Sequence, residues 1–169
     1  MTETEAKATI EKLHRKYAGV LFDHCFRLLG SKAAAEDALQ EVFLSAYRGL
    51  ASFTYGESHL PWLYRIATNL ATSRLRKRRA WRWISLEGLR SRASPNPGAE
   101  ELVADAEQRD RVRRAIESLP MDLRKVVVLC ELAGLGYQQV ADALKIPVGT
   151  VGSRRHRAVE MLRRKLGGG

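Results

Sequence analysis

The chain has 169 residues, 45% of them hydrophobic and 28% charged, with a formal net charge of +10. That length and balance suit one or two compact domains with a buried core, and the basic excess favours a polyanionic partner, nucleic acid before an anionic membrane surface. No run of some eighteen apolar residues is present and "MTETEAKATIEK" lacks a signal-peptide core, so membrane insertion is excluded and a cytoplasmic protein is expected.

Apolar residues recur near a period of 3.6 throughout, with no sustained alternation, which predicts an all-α fold. Leu13, Tyr17, Val20, Leu21, Cys25, Leu28 and Leu29 mark a first long helix that stops near Gly30. Ser31 is placed to cap a second helix carrying Ala38, Leu39, Val42, Phe43, Ala46 and Tyr47 inward. On the opposite face Asp37, Gln40, Glu41 and Leu44 follow one another at helical spacing. An acidic and amide face on so basic a protein would repel DNA and fits protein contact better, although a merely solvated face gives the same pattern.

"ASFTYGESHLP" reads as a loop, after which Pro61 suits the first turn of a third helix with Leu63, Ile66, Ala67 and Leu70 inward. This helix runs into "RLRKRRAWR", six basic residues and no acid. All three tryptophans of the chain lie between Trp62 and Trp83. Cations neutralise phosphates and aromatic faces replace lost base stacking, so the interleaving suits single-stranded or melting DNA; Trp62 serves equally well as a core residue.

The helical pattern dissolves over "EGLRSRASPNPGAE" and the acidic run after it, a flexible tether. Two small helical domains are therefore expected at residues 8–84 and 107–166, joined by a linker over 85–106. In the second, "YQQVADALKIPVGTVGSRRHR" has the layout of a helix-turn-helix. Ala141 is small where the two helices approach, and Pro147 fits the first helical position. Gly149 and Thr150 leave the helix mouth open for a phosphate. Ser153, Arg154, His156 and Arg157 then face a major groove, where an arginine bidentate to guanine is worth about 1–3 kcal/mol of discrimination. Arg155 falls on the apolar stripe, its stem covering apolar surface while its head snorkels towards the DNA edge. Cys25 and Cys130 are expected as buried small hydrophobes, and the four histidines show no metal-ligand spacing. No P-loop, nucleophile-base pair or metal constellation marks an enzyme, and no cofactor is implied.

Taken together these segments resemble the extracytoplasmic-function sigma factors of bacterial RNA polymerase. "DALQEVFLSAYRGLASF" resembles region 2.2 of that family and "LPWLYRIATNLATSRLRKRR" regions 2.3 and 2.4. "IESLPMDLRKVVVLCELAGLGYQQVADALKIPVGTVGSRRHRAVEMLRRKL" resembles region 4. The resemblance implies that Asp37, Gln40, Glu41 and Leu44 dock on the clamp coiled coil of core polymerase. It makes Phe53, Tyr55, Glu57, Ser58 and His59 a loop that holds a base flipped from the promoter −10 element, with Asn69 beneath the pocket. Trp62, Arg65, Arg74, Arg76 and Arg78 complete that surface, and flipping costs a few kcal/mol that a shaped pocket recovers. Thr150, Ser153, Arg154, His156 and Arg157 read the −35 element as duplex. The linker resembles the segment that threads the polymerase interior. The implied partners are core polymerase, promoter DNA and an anti-sigma factor, with the free chain monomeric. The competing reading is a dimeric helix-turn-helix regulator that is not a polymerase subunit. Four positions depart from the family pattern: Ser73 for a frequent aspartate, Lys145 for a turn glycine, Gly152 for a lysine and Arg155 for a leucine. A positive φ at Lys145 would store roughly 1–2 kcal/mol of strain.

Overall fold

In the computed structural model the described residues are 2–53, 58–84 and 100–167, with side chains described except over 79–84 and 100–106. Among them every regular element is helical. Helix α1 spans Glu3–Leu29 and begins ten residues before the first apolar position that the sequence pattern marks. Its start is fixed by a capping box: the Thr2 hydroxyl accepts from the Glu5 amide at 3.3 Å, while the Glu5 carboxylate accepts from the Thr2 amide at 2.7 Å. Those contacts hold the Glu5 carboxyl below its ordinary value. At the other end Gly30 adopts φ 69° and donates to the Phe26 carbonyl at 2.8 Å. A Cβ there would meet only the movable carboxylate end of Glu117, so the left-handed φ is what selects glycine.

Helix α2, Lys32–Gly49, is capped by Ser31 as expected, the hydroxyl accepting from the Ala34 amide at 3.4 Å. A single 3-10 turn, Leu50–Ser52, follows, and α3 runs from His59 to Ile84 with Pro61 in its first turn. These three helices bury Leu21, Leu28, Val42 and Leu63 against the small faces of Ala35, Ala38, Ala46 and Ala67. The alanines let the axes approach closely. Cys25 is fully buried, and desolvation raises its thiol to about 11, which leaves it inert as a nucleophile.

Helix α4 spans Glu100–Glu117, so the acidic run expected to continue the tether is helical from Glu100 onward. Helix α5, Met121–Val127, passes directly into a π-helical turn, Val128–Leu132, in which the Ala133 amide donates to the Val128 carbonyl at 2.9 Å. Helices α6, Tyr137–Leu144, and α7, Val148–Gly167, complete this half. Its core is built on Val126, Leu129, Val140, Val151 and Ala158. The linker residues 85–99 lie outside the described residues.

The two halves touch. Helix α1 packs on α4 and on the π turn, and α3 packs on α6. Arg124 spans the junction: its guanidinium donates to the Leu28 carbonyl at the end of α1 at 3.4 Å, to the Leu119 carbonyl at 3.4 Å and to the Glu117 carbonyl. A cation at converging helix C-termini meets the negative ends of their dipoles.

Candidate nucleic-acid and polymerase interface

Three surfaces carry the residues singled out by the sequence. On α2, Asp37, Gln40, Glu41 and Leu44 are all exposed, and Leu44 keeps more than half its surface in water. The acidic and amide run that ends at Leu44 would repel DNA and suits contact with protein better. Glu41 is also tied internally, accepting from Arg74 of α3 at 3.0 Å.

The second surface is the start of α3. Phe53 stacks on His59 with ring centroids 4.4 Å apart and tilts against Trp62 at 4.9 Å. Trp62 is 8% exposed. The indole is therefore mainly core, with the Phe53–His59 pair as its outer cover. Ser58 is exposed, Arg65 half-buried, and Asn69, one turn further, exposed. Tyr55 and Glu57 lie outside the described residues. Along the basic end Arg76 and Arg78 are exposed. Arg74 is not presented in the same way: it bridges Glu41 and the Ala34 carbonyl, 3.4 Å away, so its charge ties α3 to α2. Nothing in the periodicity separates Arg74 from its neighbours; only the helix packing does.

Behind this surface lies a buried polar pair that the sequence reading did not single out. His24 Nε2 and Thr68 Oγ1 are hydrogen-bonded at 2.8 Å, and Tyr64 meets the imidazole edge-on at 4.9 Å. Nδ1 has no hydrogen-bond partner. Burial, with a smaller contribution from Arg27, pulls the His24 pKa down to about 3, so the ring is neutral.

The third surface is the helix-turn-helix. Lys145 sits in the turn at φ 54°, the left-handed region in which a residue other than glycine is strained. Pro147 precedes α7 by one residue, its carbonyl accepting from the Thr150 and Val151 amides at 2.9 and 3.2 Å. Gly149 leaves the helix mouth open, and the first turn of α7 carries no acid. Ser153, His156 and Arg157 are exposed and Thr150 half-buried. Arg154 leans to α5, pairing with Asp122 at 3.5 Å. Arg155 does not reach towards the DNA edge: it pairs with Glu131 of the π turn and lies over the Tyr137 ring, 6.0 Å from its centroid. That pairing explains how an arginine is tolerated on the apolar stripe. Burial lowers the Lys125 pKa, Asp122 opposing and the cations Arg76 and Arg154 adding to the effect. Cations of α3, α5 and α7 thus share one neighbourhood.

Among the described residues no group of His, Cys, Asp and Glu is arranged to hold a metal ion. None of their helices is long and apolar enough to cross a membrane.

Comparison with known proteins gives these surfaces a context. Residues 13–81 match the Sigma-70 region 2 family, and residues 109–162 match Sigma-70, region 4. The chain is 35% identical over 158 residues to the ECF RNA polymerase sigma factor SigW of Bacillus subtilis, covering 89% of this chain and 84% of that protein. It is 39% identical over 138 residues to the ECF RNA polymerase sigma-E factor of Escherichia coli K12, covering 77% and 72% respectively. In fold it is similar to the sigma factor RpoE of Bartonella quintana, solved with the anti-sigma factor NepR. That match has a TM-score of 0.77 at 24% identity, over 93% of this chain and 96% of that one. It is also similar to CnrH, solved with the cytosolic domain of CnrY, with a TM-score of 0.72 at 22% identity over 98% and 95%.

Proposed function

Because the chain belongs to the ECF RNA polymerase sigma factors, we propose that its three surfaces divide the work of promoter recognition among themselves. Asp37, Gln40, Glu41 and Leu44 of α2 dock on core RNA polymerase. The segment Phe53 to His59, with Trp62, Arg65 and Asn69, captures an unpaired base of the −10 element, while Arg76 and Arg78 hold the backbone of the separated strand. Arg74 acts from behind, fixing α3 against α2. Thr150, Ser153, Arg154, His156 and Arg157 read the −35 element as duplex, with the open mouth of α7 on a phosphate.

The working units are residues 8–84 and 107–166, joined by residues 85–106. The chain has no chemical step of its own: it is not an enzyme, and the polymerase makes the RNA. It acts as a monomer in the cytoplasm, and an anti-sigma factor is one of its partners, as NepR is of the Bartonella quintana RpoE. A dimeric helix-turn-helix regulator would have no use for an acidic, leucine-centred face on α2. That exposed face, on a chain of net charge +10, carries the reading. Run-off transcription with purified core polymerase on a promoter library tests it. Selected start sites support the proposal; a dimer that ignores polymerase in light scattering and pull-down would replace it with the regulator.

A further inference from the structure

Helix α7 carries its reading side chains on one face and is held by small residues on the other. Val151 and Ala158 are its fully buried positions, and so smooth a contact sets the depth of a helix better than its roll about its own axis. A roll of about 15° would carry a side-chain head about 6 Å from the axis through about 1.5 Å, enough to spoil the paired hydrogen bonds that read a base.

Two consecutive arginines resist that roll from opposite flanks. Neighbours in sequence point about 100° apart on a helix, and Arg154 and Arg155 straddle the stripe of Val151 and Ala158. Arg154 reaches α5 and pairs with Asp122 at 3.5 Å, while Arg155 reaches the π turn and pairs with Glu131. The flanks are unequal. Arg154 gives up Asp122 when it turns to a base, so on DNA the restraint falls to the Arg155 side. Arg155 also has a second hold, its guanidinium lying over the Tyr137 ring at the start of α6. Tyr137 Cε2 stands 3.6 Å from where a Cβ on Gly152 would be, so the ring lines that same flank of α7. Glu131 meets α7 because the chain leaves α5 through a bond from the Ala133 amide to the Val128 carbonyl, a widened turn that redirects the residues within it.

We propose that Arg155 and Glu131 are positioning residues for −35 reading: their ion pair fixes the roll of α7 and keeps the Arg155 cation off the DNA backbone. This rests on the reading of α7 as the −35 helix. Both partners keep more than a third of their side-chain surface in water, so the pair adds little to stability, and its effect is on which DNA is bound.

The test uses the full chain loaded on core polymerase and two duplexes with one −10 element, the first carrying a −35 element selected from the promoter library and the second a scrambled one. Both duplexes meet the same −10 and polymerase contacts, so the ratio of their affinities isolates −35 reading. Glu131→Gln and Arg155→Gln break the pair from opposite ends and change the net charge in opposite directions. Each should lower the ratio about threefold, with the circular dichroism spectrum and melting midpoint of the free chain unchanged. The double variant should lose no more than either single one, as two groups that act only through each other do. Arg155→Gln should keep the salt dependence of the parent, since a cation held by Glu131 displaces no counterion from phosphate.

Tighter binding of both duplexes by Glu131→Gln and weaker binding of both by Arg155→Gln, with the ratio untouched, would overturn positioning in favour of bulk charge. A salt slope shallower by about 0.9 in Arg155→Gln would overturn it in favour of a direct phosphate contact. A parent that shows no preference between the duplexes would overturn the reading of α7 itself. A parent that prefers its selected duplex while both variants keep the full ratio would overturn the role of the ion pair alone.

Discussion

Lowering the pH from about 7.5 to about 5 should cost this protein about 2 kcal/mol of stability through one side chain, His24. The imidazole is 2% exposed, its Nε2 is committed to Thr68 at 2.8 Å, and Nδ1 has no acceptor to receive an added proton. Its pKa in the fold is about 3 against 6.5 for the free side chain. The sign follows from which state takes up the proton. Above the unfolded value both states are neutral and the term is absent. As pH falls through the unfolded value the denatured chain binds a proton that the native chain refuses, and stability is lost until the folded value is reached. At about pH 5 the denatured chain is about 1.5 units below its midpoint, and at about 1.36 kcal/mol per unit the loss is about 2 kcal/mol. Urea denaturation at several pH values reads this as a falling midpoint at constant slope. His24→Gln should be less stable at neutral pH yet flatter across the window. The His24 ring resonances of the folded protein should not titrate down to about pH 5. An imidazole that titrates near its ordinary value while the chain stays folded, or a pH slope unchanged in His24→Gln, would refute the reasoning.

Further expectations concern the surfaces. Asp37→Arg should weaken core-polymerase binding about tenfold or more with the circular dichroism spectrum unchanged, measured by fluorescence titration, since reversal sets like charges against an interface built for an acid. Arg157→Ala should cost about 1–3 kcal/mol of discrimination between matched and mismatched −35 duplexes while lowering non-specific affinity much less, as read by competition binding at fixed salt. Lys145→Gly should raise the denaturation midpoint by about 1 kcal/mol equivalent, because glycine adopts the left-handed turn without strain.

How much of this was legible in the sequence depends on the kind of signal each feature leaves. The stripes of α2 and α3, the Ser31 cap and the Gly30 stop are local, and periodicity with capping chemistry finds them. The strain at Lys145 comes into question only because the family pattern places a glycine there, and the turn does hold it at positive φ. Other features are contacts between distant positions. Arg74 reads as one more cation of a basic run until α2 brings Glu41 beside it, 33 positions away in sequence. Arg155 looks misplaced on its stripe until the π turn supplies Glu131, and no periodicity announces a π turn. His24 and Thr68 pair across 44 positions, each unremarkable on its own helix. The helical start of α4 at Glu100 was hidden by acidic residues that suit a first helical turn as well as a tether. The Thr2 capping box was readable, with glutamate three residues after threonine, but no apolar run stands near enough to point to it. The joint between the halves, with Arg124 at its corner, left no sequence signal.

The division of labour between a duplex-reading α7 and a base-capturing α3 is tested most directly by mapping unpaired thymines with permanganate in complexes of core polymerase, this chain and a selected promoter. Reactivity should appear within the −10 element only when the chain is present. It should be lost with His59→Ala while the −35 footprint persists, and Arg157→Ala should weaken the −35 footprint first. Strand opening that needs neither His59 nor the chain, or a −35 footprint that disappears together with His59, would contradict the account.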